Sequence, residues 1–354
     1  MSEIRPSTME DVARAAGVSK MTVSYVLSGK RKISARTREA VMRAARDLQF
    51  EPNMSAQQLS SGQNPRAISL YSTYLSIGVD SLKVKRLEAL LQECHYAVSF
   101  QSYGLFSEDP AVQSAAMHAL RRQRPRAIVC DASDLPDSVL DELRLYLQQG
   151  GNVVYYNCPI ALDCDSVVFD HAHCLTLAAR RLLRSGHRKI GLHVLGNDAA
   201  EEPYFVQQVR RGFADALAEF GLSPRPEWFF RGASYDNHEE GGARTAHELL
   251  LLRERPTAMC FVNDTAAAAF VVELYRMGLR VPEDISVVGT DDLPIARYSL
   301  VPLTTVTHPV NSIAANTVDL VISRLEKGYD GPPRQIVIQG ELVERSSVHA
   351  PPSE

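Results

Sequence analysis

The 354-residue chain is longer than one average domain, and its 45% hydrophobic content is enough for two or three globular units. Its net charge of -4 is unevenly spread: residues 1–64 hold 10 Lys and Arg against 6 Asp and Glu, leaving 28 against 36 in the remainder. A basic head on an acidic body points to a polyanion partner for the head. With no leader at Met1 and no apolar run near the ~18 residues of a membrane span, a cytoplasmic protein without a membrane partner is expected.

In chain order, Thr8 reads as a helix N-cap with Asp11 in the capping-box position. Met9, Val12, Ala13 and Ala16 follow at i, i+3, i+4 and i+7, which predicts a short amphipathic helix ended by Gly17. Ser19 caps a second helix with Val23, Val26 and Leu27 inward and Lys20, Met21, Ser24 and Tyr25 outward. Two helices joined by a glycine-containing turn make a helix-turn-helix, whose second helix enters the DNA major groove. Lys20 can donate to guanine or phosphate, Met21 can meet a thymine methyl, and Tyr25 can reach a base edge or phosphate. Thr22 and Ser24 suit the DNA backbone, and Thr8, Ser19 and Lys30 complete the candidate contacts. A third helix from Ser34, with Val41, Ala44, Ala45 and Leu48 inward, closes a three-helix unit over residues 1–51.

Residues 52–65 start at Pro52, are rich in Ser and Gln, and are too short to be helical alone; they need a partner and DNA to order them. From residue 66 the pattern changes to short apolar runs at 67–70, 97–101, 127–130, 153–156, 166–169, 190–194, 228–231, 258–262, 285–289 and 335–338. Helices are predicted between most of them, at 84–94, 136–149, 175–185, 206–220, 241–253, 265–277 and 312–327. Such alternation predicts parallel sheets covered on both faces, and ten strands divide better between two sheets than in one. Ligands of such folds sit at strand carboxyl ends, here in a cleft between two lobes. Asn263 and Asp264 end one apolar strand and Asp291 another, so Asn263 and Asp291 are candidate effector contacts, with Asp264 a possible helix cap; His173 is placed at the cleft mouth.

Residues 8–59 resemble the N-terminal domain of the LacI/GalR family of bacterial transcription repressors. The match rests on D-V-A-x-x-A-G-V-S-x-x-T-V-S, a Thr-Arg-containing third helix, and the tail P-N-x-x-A-x-x-L, in that order. The resemblance implies a hinge helix in 52–65 that forms when two copies meet on the operator's minor groove. Leu59 would be the wedge between base steps, Ala56 its support, and Asn53, Gln57 and Gln58 would lie near the backbone or the partner hinge. S-G-H-R-K-I (185–190), F-V-N-D-T-A-A-A (261–268), G-L-R-V-P-E-D-I-S-V-V-G-T-D-D (278–292) and V-P-L-T-T-V (301–306) resemble the same family's effector-binding core.

That core implies a two-lobed periplasmic-binding-protein-like α/β architecture over 66–354, with two parallel sheets and three crossovers near residues 186, 307 and 335. One lobe would span about 66–186 and 308–335, the other about 187–307 and 336–354. Asp170, in V-V-F-D, and Tyr235 resemble the family's strand-end aspartate and pocket aromatic. Relatives carry an arginine five residues before the glycine of Gly212-Phe213, where this chain has Gln207, and Tyr74 follows the first strand in place of an Asn-Pro-Phe-Phe-like turn. Loss of a bidentate cation weakens the case for an anionic or hydroxyl-rich ligand.

The six cysteines show no C-x-x-C spacing and read as reduced thiols, and His171 and His173 near Cys158, Cys164 and Cys174 lack zinc-ligand spacing, so no metal or cofactor is expected. Without a P-loop, G-x-G-x-x-G or G-x-S-x-G, no catalytic residue is assigned. The expected function is that of a homodimeric repressor on a pseudo-palindromic operator, controlled by a small-molecule effector of unspecified identity. Two alternatives stay open: a regulator of the same fold with a vestigial cleft, and a small-molecule binding protein or enzyme.

Overall fold

A computed structural model describes residues 8–28, 33–48, 66–72, 78–102, 109–133, 135–196, 202–232 and 237–351. Contacts divide the chain after Pro65 into two compact units. In the first, α1 (Met9–Ala16), α2 (Lys20–Ser28) and α3 (Ala35–Asp47) enclose a core of Val12, Ala13, Val23, Val26, Val41 and Ala44. Thr8 and Asp11 form a reciprocal capping box at the start of α1. Gly17, at φ 66°, takes the left-handed conformation that lets the chain turn at once into α2.

The second unit holds twelve strands in two six-stranded sheets among the described residues. The first sheet has the order β11-β5-β4-β3-β1-β2 and is wholly parallel. Its strands are β1 (Ala67–Ser72), β2 (Ala97–Ser102), β3 (Ala127–Asp131), β4 (Asn152–Asn157), β5 (Asp165–Phe169) and β11 (Gln335–Ile338). The second runs β12-β10-β9-β8-β6-β7, from β6 (Ile190–Val194), β7 (Phe229–Arg231), β8 (Ala258–Phe261), β9 (Ser286–Asp291), β10 (Thr304–Thr307) and β12 (Leu342–Val343). Here β12 pairs antiparallel with β10, so this sheet is only mostly parallel. The central strands β3, β6 and β8 are buried along their whole length, which is why they read as continuous apolar runs.

Nine helices of this unit cover the sheets: α4 (Gly78–Glu93), α5 (Pro110–Arg122), α6 (Asp137–Gln148), α7 (His171–Arg184), α8 (Tyr204–Ala218), α9 (His238–Leu251), α10 (Asp264–Arg276), α11 (Pro294–Tyr298) and α12 (Val310–Leu325), counted over described residues. The crossover expected near residue 186 lies instead at Asp170. Helix α7 packs on α8 and on β8, β9 and β10, so it belongs to the second lobe. The crossover expected near 335 lies at 339–341, because β11 hydrogen-bonds to β5 in the first sheet before β12 joins the second. The remaining crossover runs from β10 to α12 through His308. Two strands and two helices were missing from the sequence reading. Strand β10 is T-T-V-T, whose hydroxyls find buried partners, and β12 has two residues, so neither carries an apolar signature. Helix α11 has only five residues, and α5 was passed over although Asp109 caps it and Pro110 stands in its first turn.

Candidate functional site

Two surfaces carry the candidate functional residues, one in each unit. On the head, the start of α2 is open: Ser19, Lys20 and Met21 are exposed, Met21 to 64%, while Thr22, Ser24 and Tyr25 are half-buried. The Ser19 hydroxyl accepts from the Thr22 backbone N–H at 3.1 Å, fixing the first turn of the helix. Lys20 rests 3.1 Å from Glu10 in an exposed ion pair, a contact worth little that a phosphate can replace. Thr8 is committed internally, its hydroxyl donating to Asp11 at 2.6 Å, so its described role is to start α1. Lys30, Asn53, Ala56, Gln57 and Leu59 lie outside the described residues, as do Tyr74 and Tyr235 of the core.

In the core, the carboxyl ends of β3, β4, β5, β8 and β9 converge on a cleft between the lobes, the place where ligands of such folds sit. The first lobe contributes Val79, Asp80 and Lys83 from α4, Ser133, Asn157 and Phe169. The second contributes Leu195, Phe205 and Val209, then Asn263, Thr290 and Asp291. His171 and His308, at two of the crossovers, and His238 at the start of α9 also line it.

Lys83 anchors the first-lobe side. It is fully buried, with Nζ 2.5 Å from both Asp80 Oδ1 and Asn157 Oδ1 and 5.7 Å from the ring centre of Tyr156. Asn157 in turn donates to Asp131 at 2.9 Å. Burial would lower the Lys83 pKa, but Asp80 and Asp131 outweigh it and hold the ammonium above its ordinary value. Burial pushes the Asp131 carboxyl up to about 6 despite Lys83.

Across the cleft, Asp291 is driven well above the usual carboxylate range by burial and then by Asp264 and Asp80. Its backbone is strained, at φ 109°, and Asn157 sits at φ 79°. Non-glycine residues in such conformations cost roughly 1–3 kcal/mol and concentrate at ligand sites. His308 stacks on Phe169 with ring centroids 3.9 Å apart, and its Nδ1 lies 3.4 Å from Asp291 Oδ1. Burial, then Lys83 and His171, hold His308 well below the ordinary histidine value, and burial takes His171 down to about 4. Both rings are therefore neutral at physiological pH.

Asn263 does two things at once. Its Oδ1 accepts from the Ala266 backbone N–H at 2.7 Å and so caps α10, while its Nδ2, in a side chain only 4% exposed, has no partner among the described residues. The neighbouring Asp264 faces the other way and is a brace: Oδ1 accepts the Thr305 hydroxyl at 2.6 Å and Oδ2 the Leu293 N–H at 2.8 Å. Asn263, and not Asp264, is the helix cap. A side chain at Gly289 would put its Cβ 2.2 Å from Asp264 Oδ1, so the strand leaves room for the carboxylate. Burial pushes Asp264 up to about 7.

Of the residues expected in the cleft, Asn263 and Asp291 are brought together there. Asp170 is not: it caps α7 through the His173 N–H at 2.9 Å and accepts from Gln339 at 3.0 Å, tying the first crossover to the third. His173 does not line the cleft, whereas His171 and Cys174 on the same helix do. Gln207 is exposed and donates to the Glu202 carbonyl at 2.7 Å; it lines a separate outer groove with Arg210, Arg225 and Trp228. On α8 the cleft-facing positions are Phe205 and Val209, which replace an expected polar grip with apolar surface. Lys83, Asn157, Asp131 and His308 were missed. Asn157 and Asp131 end strands as Asp291 does, and Lys83 falls between Val79 and Leu87 on the inward i, i+4, i+8 face of α4, where a lysine is out of place unless partnered.

The model of bacterial regulatory proteins of the lacI family matches residues 8–53, and that of the periplasmic binding protein-like domain matches residues 179–348. The HTH-type transcriptional regulator GalR of Escherichia coli is 30% identical over 345 residues, covering 98% of this chain and 96% of that protein. The chain belongs to the LacI/GalR family. Within it, the HTH-type transcriptional repressor PurR of Aliivibrio salmonicida is 27% identical over 97% of this chain and 99% of that protein. The solved lac repressor dimer bound to operator and the anti-inducer ONPF is similar with a TM-score of 0.80 and 25% identity, over 98% of this chain and all of that one. As a LacI/GalR-family protein, the chain is a DNA-binding transcriptional repressor and not an enzyme. Among the described residues, no helix is long and apolar enough to cross a membrane.

Proposed function

We propose that this chain acts in the cytoplasm as a homodimer on a pseudo-palindromic operator, and that a small molecule held in the interlobe cleft sets its affinity for that DNA. Two-fold symmetry of the protein is matched by two half-sites, each read by one α2 through Lys20, Met21 and Tyr25. Residues 1–51 read the DNA, 52–65 form the hinge with Leu59 as its wedge, and 66–354 hold the effector and the dimer contacts. Asn263, Asp291, Asn157 and His308 are the proposed effector contacts. One observation carries the effector reading: Asn263 Nδ2 and His308 Nε2 are both deeply buried on the cleft wall and have no partner among the described residues. Unpaired buried polar groups cost about 1–3 kcal/mol each, which a bound molecule repays.

A ligand that prefers one lobe arrangement shifts operator affinity, and the operator shifts ligand affinity by the same factor. Fluorescence anisotropy of the full-length protein on its operator, with and without compounds that raise its melting temperature, tests this. A compound that stabilises the protein is expected to change operator affinity at least tenfold in one direction. Compounds that occupy the cleft and leave operator affinity unchanged would contradict it.

A further inference from the structure

The titratable side chains on the cleft wall are Asp80, Lys83, His171, Asp291 and His308, with His238 of α9, and Asp131 stands directly behind Asn157. Three acidic side chains thus stand around one ammonium, and that ammonium is already held 2.5 Å from Asp80 and from Asn157. No arginine lines the cleft among the described residues. The core stretches outside them, 73–77, 103–108, 134, 197–201, 233–236 and 352–354, contain no Lys or Arg at all, so they cannot supply one. An anionic ligand would therefore meet carboxylates with no uncommitted cation.

Hydrogen-bonding capacity points the same way. His308 Nδ1 lies 3.4 Å from Asp291 Oδ1; facing an ionised Asp291 the neutral ring keeps its proton on Nδ1 and presents Nε2 as an acceptor, an atom that is unpartnered among the described residues in a residue 8% exposed. Asp291 and Asp80 also only accept when ionised. Against these acceptors the wall offers Asn263 Nδ2 as an unpartnered donor. Ser133, Thr265, Thr290, His171 and His238 also line the wall, and its apolar and aromatic surface comes from Phe169, Phe205, Leu195 and Val209. Aromatic faces beside carboxylates form a favourable environment for an organic cation, because ring quadrupole and carboxylate attract the same charge.

We propose that the effector of this cleft is a small organic cation, whose protonated nitrogen donates to Asp291 and His308 and whose apolar body lies against Phe205 and Phe169. This rests on the effector reading given under Proposed function and narrows it to one chemical class. Binding makes and breaks no covalent bond; the ligand's N–H groups donate to Asp291 and to His308 Nε2.

The test is a panel of scaffolds, each in amine, alcohol and carboxylate form, for instance 2-phenylethylamine, 2-phenylethanol and phenylacetate, with free hexoses as a hydroxyl-rich arm. Each is titrated into the full-length wild-type protein by calorimetry, with operator anisotropy read in parallel. Amines are expected to bind at least tenfold tighter than their matched alcohols and carboxylates. Asp291→Asn and Asp80→Asn, each checked for an unaltered circular dichroism spectrum, are expected to weaken amine binding at least tenfold. The wild-type charge comparison stands even if either variant fails to fold. A carboxylate or a hexose that binds as tightly as the amines and changes operator affinity would overturn the cation class and leave the effector reading standing. Silence across the whole panel would overturn both.

Discussion

Gly212→Val is expected to cost the core about 3 kcal/mol or more of stability, because the two helices that carry one wall of the cleft touch through this glycine. A Cβ at Gly212 would stand 1.9 Å from the Ala172 carbonyl oxygen, a backbone atom that no rotamer change can move. The Thr176 hydroxyl seals the same crossing, within 2.9 Å of the Ala172 carbonyl and 3.0 Å of the Gly212 carbonyl. Relieving the clash means separating α7 from α8 and opening the packing of Leu175, Ala179, Phe213 and Ala216, all buried in one cluster. Because α7 also carries His171 and Cys174 and α8 carries Phe205 and Val209, the shift reaches the ligand wall. Urea unfolding reads the effect. A change within about 0.5 kcal/mol would show that the helices part at no cost, contrary to close interior packing.

Asp264 is expected to make the core's stability depend on pH in a direction unusual for a carboxylate. Its folded value of about 7 lies above the ordinary unfolded value of about 3.9, so the folded state holds the proton more tightly. The contribution is fully present below about pH 4 and is lost as pH rises through about 7, a total of up to about 4 kcal/mol. Asp264→Asn keeps an acceptor for the Leu293 N–H and offers an N–H to the Thr305 oxygen, so it should hold the fold and remove this slope. Between pH 4.5 and pH 7.5, urea midpoints of the Asn variant should therefore rise relative to wild type. Asp264→Ala instead strands a buried amide and hydroxyl and should cost about 2–4 kcal/mol near pH 7. A wild-type to Asn difference that stays constant with pH would contradict the raised carboxyl.

Much of the architecture was legible in the residues because it rests on periodicity and caps. Val12, Val23, Val41 and their neighbours announced the head, and apolar runs such as 127–130 and 258–262 announced buried parallel strands. Elements held together by polar burial were not legible. Strand β10 is stabilised through Thr305 and Asp264, which lie far apart in the chain, and no local pattern encodes that pairing. The cleft divides along the same line. Asn263 and Asp291 follow from the rule that strand ends face the ligand, and the same rule covers Asn157 and Asp131. Asp170 obeys the rule in sequence and breaks it in space, because a crossover and a helix start fall at that residue and take both its oxygens. Gln207 failed for a different reason: spacing from Gly212 says how far along α8 a residue lies, but the helix turns that position outward, and Phe205 and Val209 inward.

The basic head sits on a protein that is acidic overall, so general attraction to DNA and reading of an operator must be told apart. The most direct measurement is the affinity of the full-length protein for its pseudo-palindromic operator and for a scrambled duplex of equal length, each at about 50 and about 200 mM salt. Both affinities are expected to fall by roughly 10³ or more across that range if the head neutralises six or more phosphates. At either salt the operator is expected to bind on the order of 10³ times tighter or more. Equal affinity for the two duplexes, or a flat salt response, would contradict a sequence-reading repressor built on Lys20, Met21 and Tyr25.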